Sequence, residues 1–249
     1  MNALFLKLLA LLLMLVDHSG VVLARLGLIG MPLYRVMRII GRGAFPIFCF
    51  QLAEGAKYTK KKWFYLLRIL VLALVSETFF DLALFAVWYD PYHQNVFFTL
   101  ALGLVTVYMI QWASKLRGWL IAAGGAAACI VLTAASLLAK YVLRTDYGAS
   151  GVLQIAVMGL LVLPLERIPY LSERAFSIRL IRVIVCACAI TVCAWLLGGT
   201  EWWAYYALLP IGLYNGKKGY RSRALQYGLY FFYPLHLLIL GLIFAAFRR

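Results

Sequence analysis

Apolar runs about 20 residues long recur along this chain almost without pause, and they decide what it can fold into. LLALLLMLV near the N-terminus and LIAAGGAAACIVLTAASLLA at 120–139 carry no charge at all. A hydrocarbon core about 30 Å thick is crossed by about 20 helical residues, so runs of this length read as membrane spans. Neither run alternates apolar with polar positions, which excludes the strands of an outer-membrane barrel. Composition agrees: 65% of the 249 residues are hydrophobic and 13% charged, against roughly 45–50% and 25% in a soluble domain. The expected fold class is therefore all-α: a polytopic integral membrane helical bundle forming a single domain over 1–249.

Charges, Pro, Gly and Asn end the runs, placing spans near 3–24, 37–56, 64–86, 96–114, 118–139, 151–167, 180–199, 202–214 and 225–246. That makes about nine transmembrane helices, with eight or ten as the neighbouring counts and 202–214 the shortest. The first run continues through Asp17 and His18 into further apolar residues, as a retained span does and a cleaved signal peptide does not. With the N-terminus in the cytoplasm, fourteen cations fall in cytoplasmic loops: Lys57, Lys60, Lys61, Lys62, Lys115, Arg117, Arg167, Arg174, Arg179, Arg182, Lys217, Lys218, Arg221 and Arg223. Eight fall outside, at Arg25, Arg35, Arg38, Arg42, Lys140, Arg144, Arg248 and Arg249. The positive-inside rule selects this orientation.

The formal charge of +15 thus reports topology, and no RNA- or DNA-reading motif surrounds the basic loops, so nucleic acid is not an expected partner. Cys49, Cys129, Cys186, Cys188 and Cys193 all sit inside apolar runs, which is neither a disulfide framework nor a zinc spacing. No metal is expected. The chain has no P-loop, GxGxxG, GxSxG or HExxH.

An ionisable group inside a span costs roughly 2.5–3.5 kcal/mol on insertion scales, so each is a functional candidate or half of an ion pair. The first span holds Lys7, Asp17 and His18; the second Arg38, Arg42 and Glu54; the third Arg68, Glu77 and Asp81; the last His236 in YFFYPLHLL. His18 lies two-thirds of the way across, where a neutral imidazole can serve as a base toward an amine or hydroxyl. Asp17 points about 100° away from it, which disfavours a simple Asp–His dyad and suits an Arg partner. Glu77 and Asp81, four apart, share a helix face, and the stripe Arg35, Arg38 and Arg42 is the economical partner for them. Pro234 frees backbone groups near His236 and can set that ring at a cavity. His93 in WYDPYHQN reads as a loop residue. Asn95 and Thr99 share a face at a helix start, where backbone N–H groups can meet an acyl carbonyl.

Five segments together form a known pattern: LKLLALLLMLVDHSG at 6–20, IGRGAFPIFCFQLAEG at 40–55, YLLRILVLALVSETFFDLA at 65–83, QNVFFTLALG at 94–103 and YPLHLLIL at 233–240. They resemble the TraX family of integral membrane proteins, known for acetylating the N-terminus of conjugative pilin. The family is also similar to transmembrane acyltransferases of the acyltransferase-3 class, in which an Arg precedes the first-span His with ten residues between. Lys7 and His18 have that spacing, with Lys in place of Arg. Eleven steps along a helix put the two groups on one face about 16 Å apart, which suits a long thioester with its phosphates at the cytosolic surface.

The resemblance implies a membrane-embedded acyltransferase in a bacterial-type inner membrane. It would move an acetyl or other acyl group from cytosolic acyl-CoA, a co-substrate, to an acceptor such as a peptide or pilin amine. His18 is the expected general base with Asp17 beside it; Lys7, Arg42, Asn95 and Thr99 are the acyl-CoA contacts; Glu54, Glu77, Asp81 and His236 organise the cavity or hold the acceptor. Transfer to an envelope sugar or small-molecule hydroxyl is the alternative within the enzyme class. An ion-coupled transporter using the same buried charges is the alternative outside it.

Overall fold

The computed structural model describes residues 1–118, 120–163, 175–220 and 222–247. Among these, each of the nine apolar runs is helical and no strand forms; an isolated bridge joins Gln94 to Thr145. The helices are α1 (Ala3–Arg25), α2 (Met31–Gly41), α3 (Ala44–Tyr58), α4 (Lys62–Phe85), α5 (Val96–Ala113), α6 (Leu120–Leu137), α7 (Gly148–Gly159), α8 (Ala175–Leu197), α9 (Leu208–Gly212) and α10 (Arg223–Phe247). Among the described residues, six stretches are long and apolar enough to cross a membrane: Ala3–Arg25, Met31–Tyr58, Val96–Ala113, Leu120–Val142, Ser177–Leu197 and Ala224–Phe247. The 24-residue α4 is about 36 Å long at 1.5 Å per residue. The chain is a polytopic helical bundle.

Two expectations need correction. The second span begins at Met31, earlier than its apolar run, because α2 turns a polar Arg face toward α1 and so has no unbroken apolar sequence. The eighth run is not one α-helix: residues Gly199–Ala207 form a 3-10 segment and only the five residues of α9 are α-helical. Gly198 and Gly199 enter it with φ of +68° and +59°, which a tight helix start from a glycine pair permits. Part of the sixth run, with Arg167 and Arg174, lies outside the described residues, as do Arg221, Arg248 and Arg249.

Helix α3 is central, touching α1, α5, α7 and the 3-10 segment, and it buries Ile47, Cys49, Phe50 and Ala53. Helix α6 buries only Gly124 and Ala135 and turns Ile121, Ile130 and Leu137 outward, as a lipid-facing helix would. Asn2 caps α1 by accepting from the Phe5 N–H at 2.9 Å, and Asn95 caps α5 by accepting from the Phe97 N–H at 2.9 Å.

Tertiary hydrogen bonds define two ends. At one, the N-terminal ammonium donates to the Leu213 carbonyl at 2.7 Å, the Ala3 N–H donates to Lys217 O at 2.9 Å, and the Tyr108 hydroxyl donates to Lys62 O at 3.1 Å. At the other, the Asp146 N–H donates to Gln94 O at 2.9 Å and the Asp90 N–H to the Asp81 carboxylate at 2.8 Å. Lys7 lies toward the first end, His18 and His236 toward the second.

Candidate functional site

Two histidines from opposite ends of the chain meet inside the bundle. His18 Nδ1 lies 2.8 Å from His236 Nε2, with the rings parallel and their centroids 5.2 Å apart. Both are buried. His236 Nδ1 lies 2.9 Å from the Phe232 carbonyl, one turn earlier on α10. A carbonyl only accepts, so with both rings neutral Nδ1 of His236 carries the proton and its Nε2 accepts. His18 must then donate from Nδ1, which leaves Nε2 of His18 with the free lone pair. Tyr233 sits edge-on to both rings, at 6.2 and 5.4 Å between centroids, and its hydroxyl has no partner among the described residues.

Asp17, the neighbour of His18 in sequence, faces the other way and accepts from two arginines. Arg38 Nη1 donates to Asp17 Oδ2, and Arg42 Nη2 donates to Asp17 Oδ1 at 2.7 Å. Arg42 also donates from Nη1 to Glu201 of the 3-10 segment. The sequence Gly41-Arg42-Gly43 explains how these helices come so close. A Cβ on Gly41 would fall 2.3 Å from the Asp17 side chain, and one on Gly43 2.5 Å from the Tyr206 ring, whose hydroxyl takes the Gly43 N–H at 2.9 Å. Glycine at both positions lets α2 lie against α1 and the 3-10 segment at once.

The pairing of the Arg stripe with Glu77 and Asp81 is therefore not what forms; Arg38 and Arg42 bind Asp17 and Glu201 instead. Glu77 accepts from Asn95, through its N–H at 3.1 Å and its side-chain amide, and that amide also donates to Ala73 O at 2.8 Å. Asp81 takes the Asp90 N–H. The two carboxylates thus tie α4 to the 86–95 loop. Thr99 donates to the Thr145 hydroxyl at 2.8 Å, joining the same region to the loop before α7.

Two cavities meet at the centre. The larger, about 280 Å³, includes Asp17, His18, Arg25, Tyr34, Arg38, Arg42, Phe45, Asp146 and Tyr147 in its wall. The other, about 140 Å³, is mainly apolar: Lys7, Leu11, Gln51, Tyr65, Phe97, Tyr230 and Tyr233 line it, with Lys7 Nζ 5.9 Å from the centre of the Tyr230 ring. Met14, Phe48 and Val96 belong to both walls. A polar chamber and an apolar one therefore adjoin along α1, with Lys7 on one and His18 on the other.

Of the predicted residues, the structure brings His18, His236, Asp17 and Arg42 together, and puts Lys7 on the adjoining cavity. Glu54 lines neither cavity, nor do Glu77, Asp81, Asn95 and Thr99, and His236 stands behind His18 without lining either. His93 is a loop residue paired with Asp90 at 2.9 Å. Sequence reading passed over Glu201, Asp146 and Tyr147. Asp146 lines the polar cavity and is accessible from it. The protein packed around it strips water from the carboxyl and pushes it up to about 6, with Arg42 opposing the rise and Asp17 adding to it. Tyr147 stacks on Phe45 with centroids 3.6 Å apart. Among the described residues no group of three His, Cys, Asp or Glu could hold a metal ion.

The family model described as "TraX protein" matches residues 3–244. The curated "Probable fimbrial assembly protein FimC, serogroup H1" of Dichelobacter nodosus is 26% identical over 266 residues, an alignment spanning 96% of this chain and 94% of that protein. No solved structure matches.

Proposed function

The chain belongs to the TraX family, and on that premise we propose that it is a membrane-embedded acyltransferase that takes an acetyl or longer acyl group from cytosolic acyl-CoA. The acceptor is an amine such as a pilin or other peptide N-terminus; the fimbrial-assembly name of its relative in D. nodosus supports a surface-fibre subunit. The observation that carries the reading is the hydrogen-bonded chain Phe232 O, His236, His18, whose last member, His18, lines a polar cavity adjoining an apolar one.

Nine passes with the N-terminus in the cytoplasm put Lys7 and the Lys57–Lys62 turn on the side from which acyl-CoA arrives. Lys7 meets its phosphates or the start of its pantetheine arm, and the acyl end enters the apolar cavity. The acceptor occupies the polar cavity. His18 Nε2 takes the proton of the attacking nitrogen as the C–N bond forms, then returns it to the departing thiolate as the C–S bond breaks. While His18 is positive, its Nδ1–H still points at the lone pair of His236 Nε2, which stabilises the imidazolium and fixes the ring. The ion cluster of Asp17, Arg38, Arg42 and Glu201 holds α1, α2 and the 3-10 segment in register around the cavity.

The test in cells is mass spectrometry of surface-fibre subunits and envelope extracts with and without the intact gene. The reading expects an acetyl or longer acyl group on a peptide N-terminus that disappears with the gene. Identical acylation in both strains contradicts it.

A further inference from the structure

Asp146 stands apart from the other charges around the polar cavity. Asp17 accepts from Arg38 and Arg42, and Arg42 also donates to Glu201, so two cations and two carboxylates satisfy one another. Arg25, the remaining cation of the wall, lies over the Phe85 ring at 5.7 Å. The Asp146 carboxylate makes no hydrogen bond or ion pair among the described residues, and it faces the space in which an acceptor would sit.

Its position is imposed by the fold. Helix α6 ends in a π-helical turn, Leu138–Val142, and Arg144 then takes φ of +50°, a left-handed conformation for a side chain other than glycine. Thr145 N–H donates to Ala139 O at 2.9 Å, Asp146 N–H to Gln94 O at 2.9 Å, and the Thr99 hydroxyl to Thr145. π turns and positive φ at ordinary residues cost free energy and persist where the surroundings fix them, often at working sites. The product here is a carboxylate without a partner set beside the stacked Phe45 and Tyr147 rings, whose faces also attract a cation.

Resting on the acyl-transfer reading, we propose that Asp146 is the residue that selects the acceptor. It binds the protonated form of a primary amine, so the enzyme acylates amines and not neutral hydroxyls. A peptide α-amino group, with a pKa of about 7.7–8.0, is mostly cationic at neutral pH and pairs with an ionised carboxylate. One proton leaves it for solvent to give the neutral amine, and the second passes to His18 as the C–N bond forms and the C–S bond breaks. The thiolate takes that proton from His18. The products are the amide, the free thiol and one released proton.

The test uses the full-length protein in nanodiscs with acetyl-CoA and two acceptors: a short peptide with a free N-terminus, and the same peptide with hydroxyl in place of the α-amino group. Wild type is expected to prefer the amine. Asp146→Asn should raise KM for the amine peptide about tenfold or more, the effect of losing a charge-assisted hydrogen bond. KM for acetyl-CoA should not move, which also shows that the variant is folded. An unchanged amine KM, or an equal change for both acceptors, overturns the proposal. Calorimetric binding of the amine peptide without acetyl-CoA reads Asp146 independently. Tighter binding to wild type than to Asp146→Asn upholds it even if acetyl transfer is not observed, an outcome that would instead defeat the acyl-transfer reading; equal binding overturns it.

Discussion

His18 Nδ1 and His236 Nε2, 218 positions apart in sequence, lie 2.8 Å from one another, and the Phe232 carbonyl on the far nitrogen of His236 leaves the neutral pair one tautomer. In the proposed reaction the pair is a base and its holder. His18→Gln should lower acetyl transfer by about 10²–10⁴, the range for loss of a general base. His236→Gln should cost about 10–100-fold, as orienting partners do. Because His236 acts through His18, its variant should also displace the acidic limb of the pH–rate profile, which a merely structural loss would leave in place.

The Asp17 cluster is a structural prediction. Asp17 is buried beneath two guanidinium groups, so Asp17→Ala takes the carboxylate from Arg38 and leaves Arg42 with Glu201 alone. Breaking a buried pair from one side costs about 3–5 kcal/mol, read as a fall in thermal midpoint in detergent. Arg42→Lys should also destabilise, since one ammonium cannot reproduce a guanidinium bridging Asp17 and Glu201. A variant at Asp17 as stable as wild type would remove this cluster from the account.

Gly41→Ala adds a methyl group 2.3 Å from the Asp17 side chain. It must push α2 from α1 and open the ion pairs, so it should destabilise by about 1–3 kcal/mol and impair transfer more than Gly125→Ala, where a Cβ meets nothing within 4 Å. Equal effects of the two substitutions would contradict the close packing of α1 and α2.

Asp146 gives a pH signature. Its folded carboxyl titrates near 6 against an ordinary value of 3.8, so the folded state holds the proton more tightly than the unfolded one. Its contribution to stability is present at low pH and is lost as pH rises from about 4 through about 6. Arg38 and Arg42 favour the ionised form; Asp17 and Glu201 oppose it. Asp146→Asn should therefore raise the thermal midpoint at about pH 7.5 and lose that advantage near pH 4. Amine binding by wild type should weaken as pH falls through about 6. A midpoint lowered at neutral pH would reverse the sign and contradict the assignment.

The two cavities share Met14, Phe48 and Val96. Val96→Trp fills that junction, so on the proposed route, with acetyl-CoA entering from the Lys7 side, transfer should fall while stabilisation by acetyl-CoA persists. Undiminished transfer would show that the acyl group takes another path.

Much of this was legible in the sequence, because membrane spans are written in local apolar runs and mid-span charges are rare enough to name. His18, Asp17, Arg42 and His236 stand out on that ground alone, and their meeting shows that the cost of burying them was a sound guide. Partner choice was not legible. Glu77 and Asp81 match the Arg stripe in spacing, yet Asp17 takes it, because Gly41 and Gly43 bring α2 against α1 and the 3-10 segment, and periodicity says nothing of approach distance. Glu201 in GGTEWW and Asp146 in RTDYG sit in short polar stretches that read as connections. Their roles arise from a 3-10 segment and a π turn, neither of which has a strong sequence signature.

The most direct measurement is transfer of radiolabelled acetyl from acetyl-CoA to a free-N-terminus peptide by the purified protein in nanodiscs, comparing wild type with His18→Gln of matched thermal midpoint. The base assignment predicts labelled peptide from wild type and a rate lower by about 10² or more from the variant. Equal labelling by the two proteins, or none by wild type that binds acetyl-CoA, would contradict it.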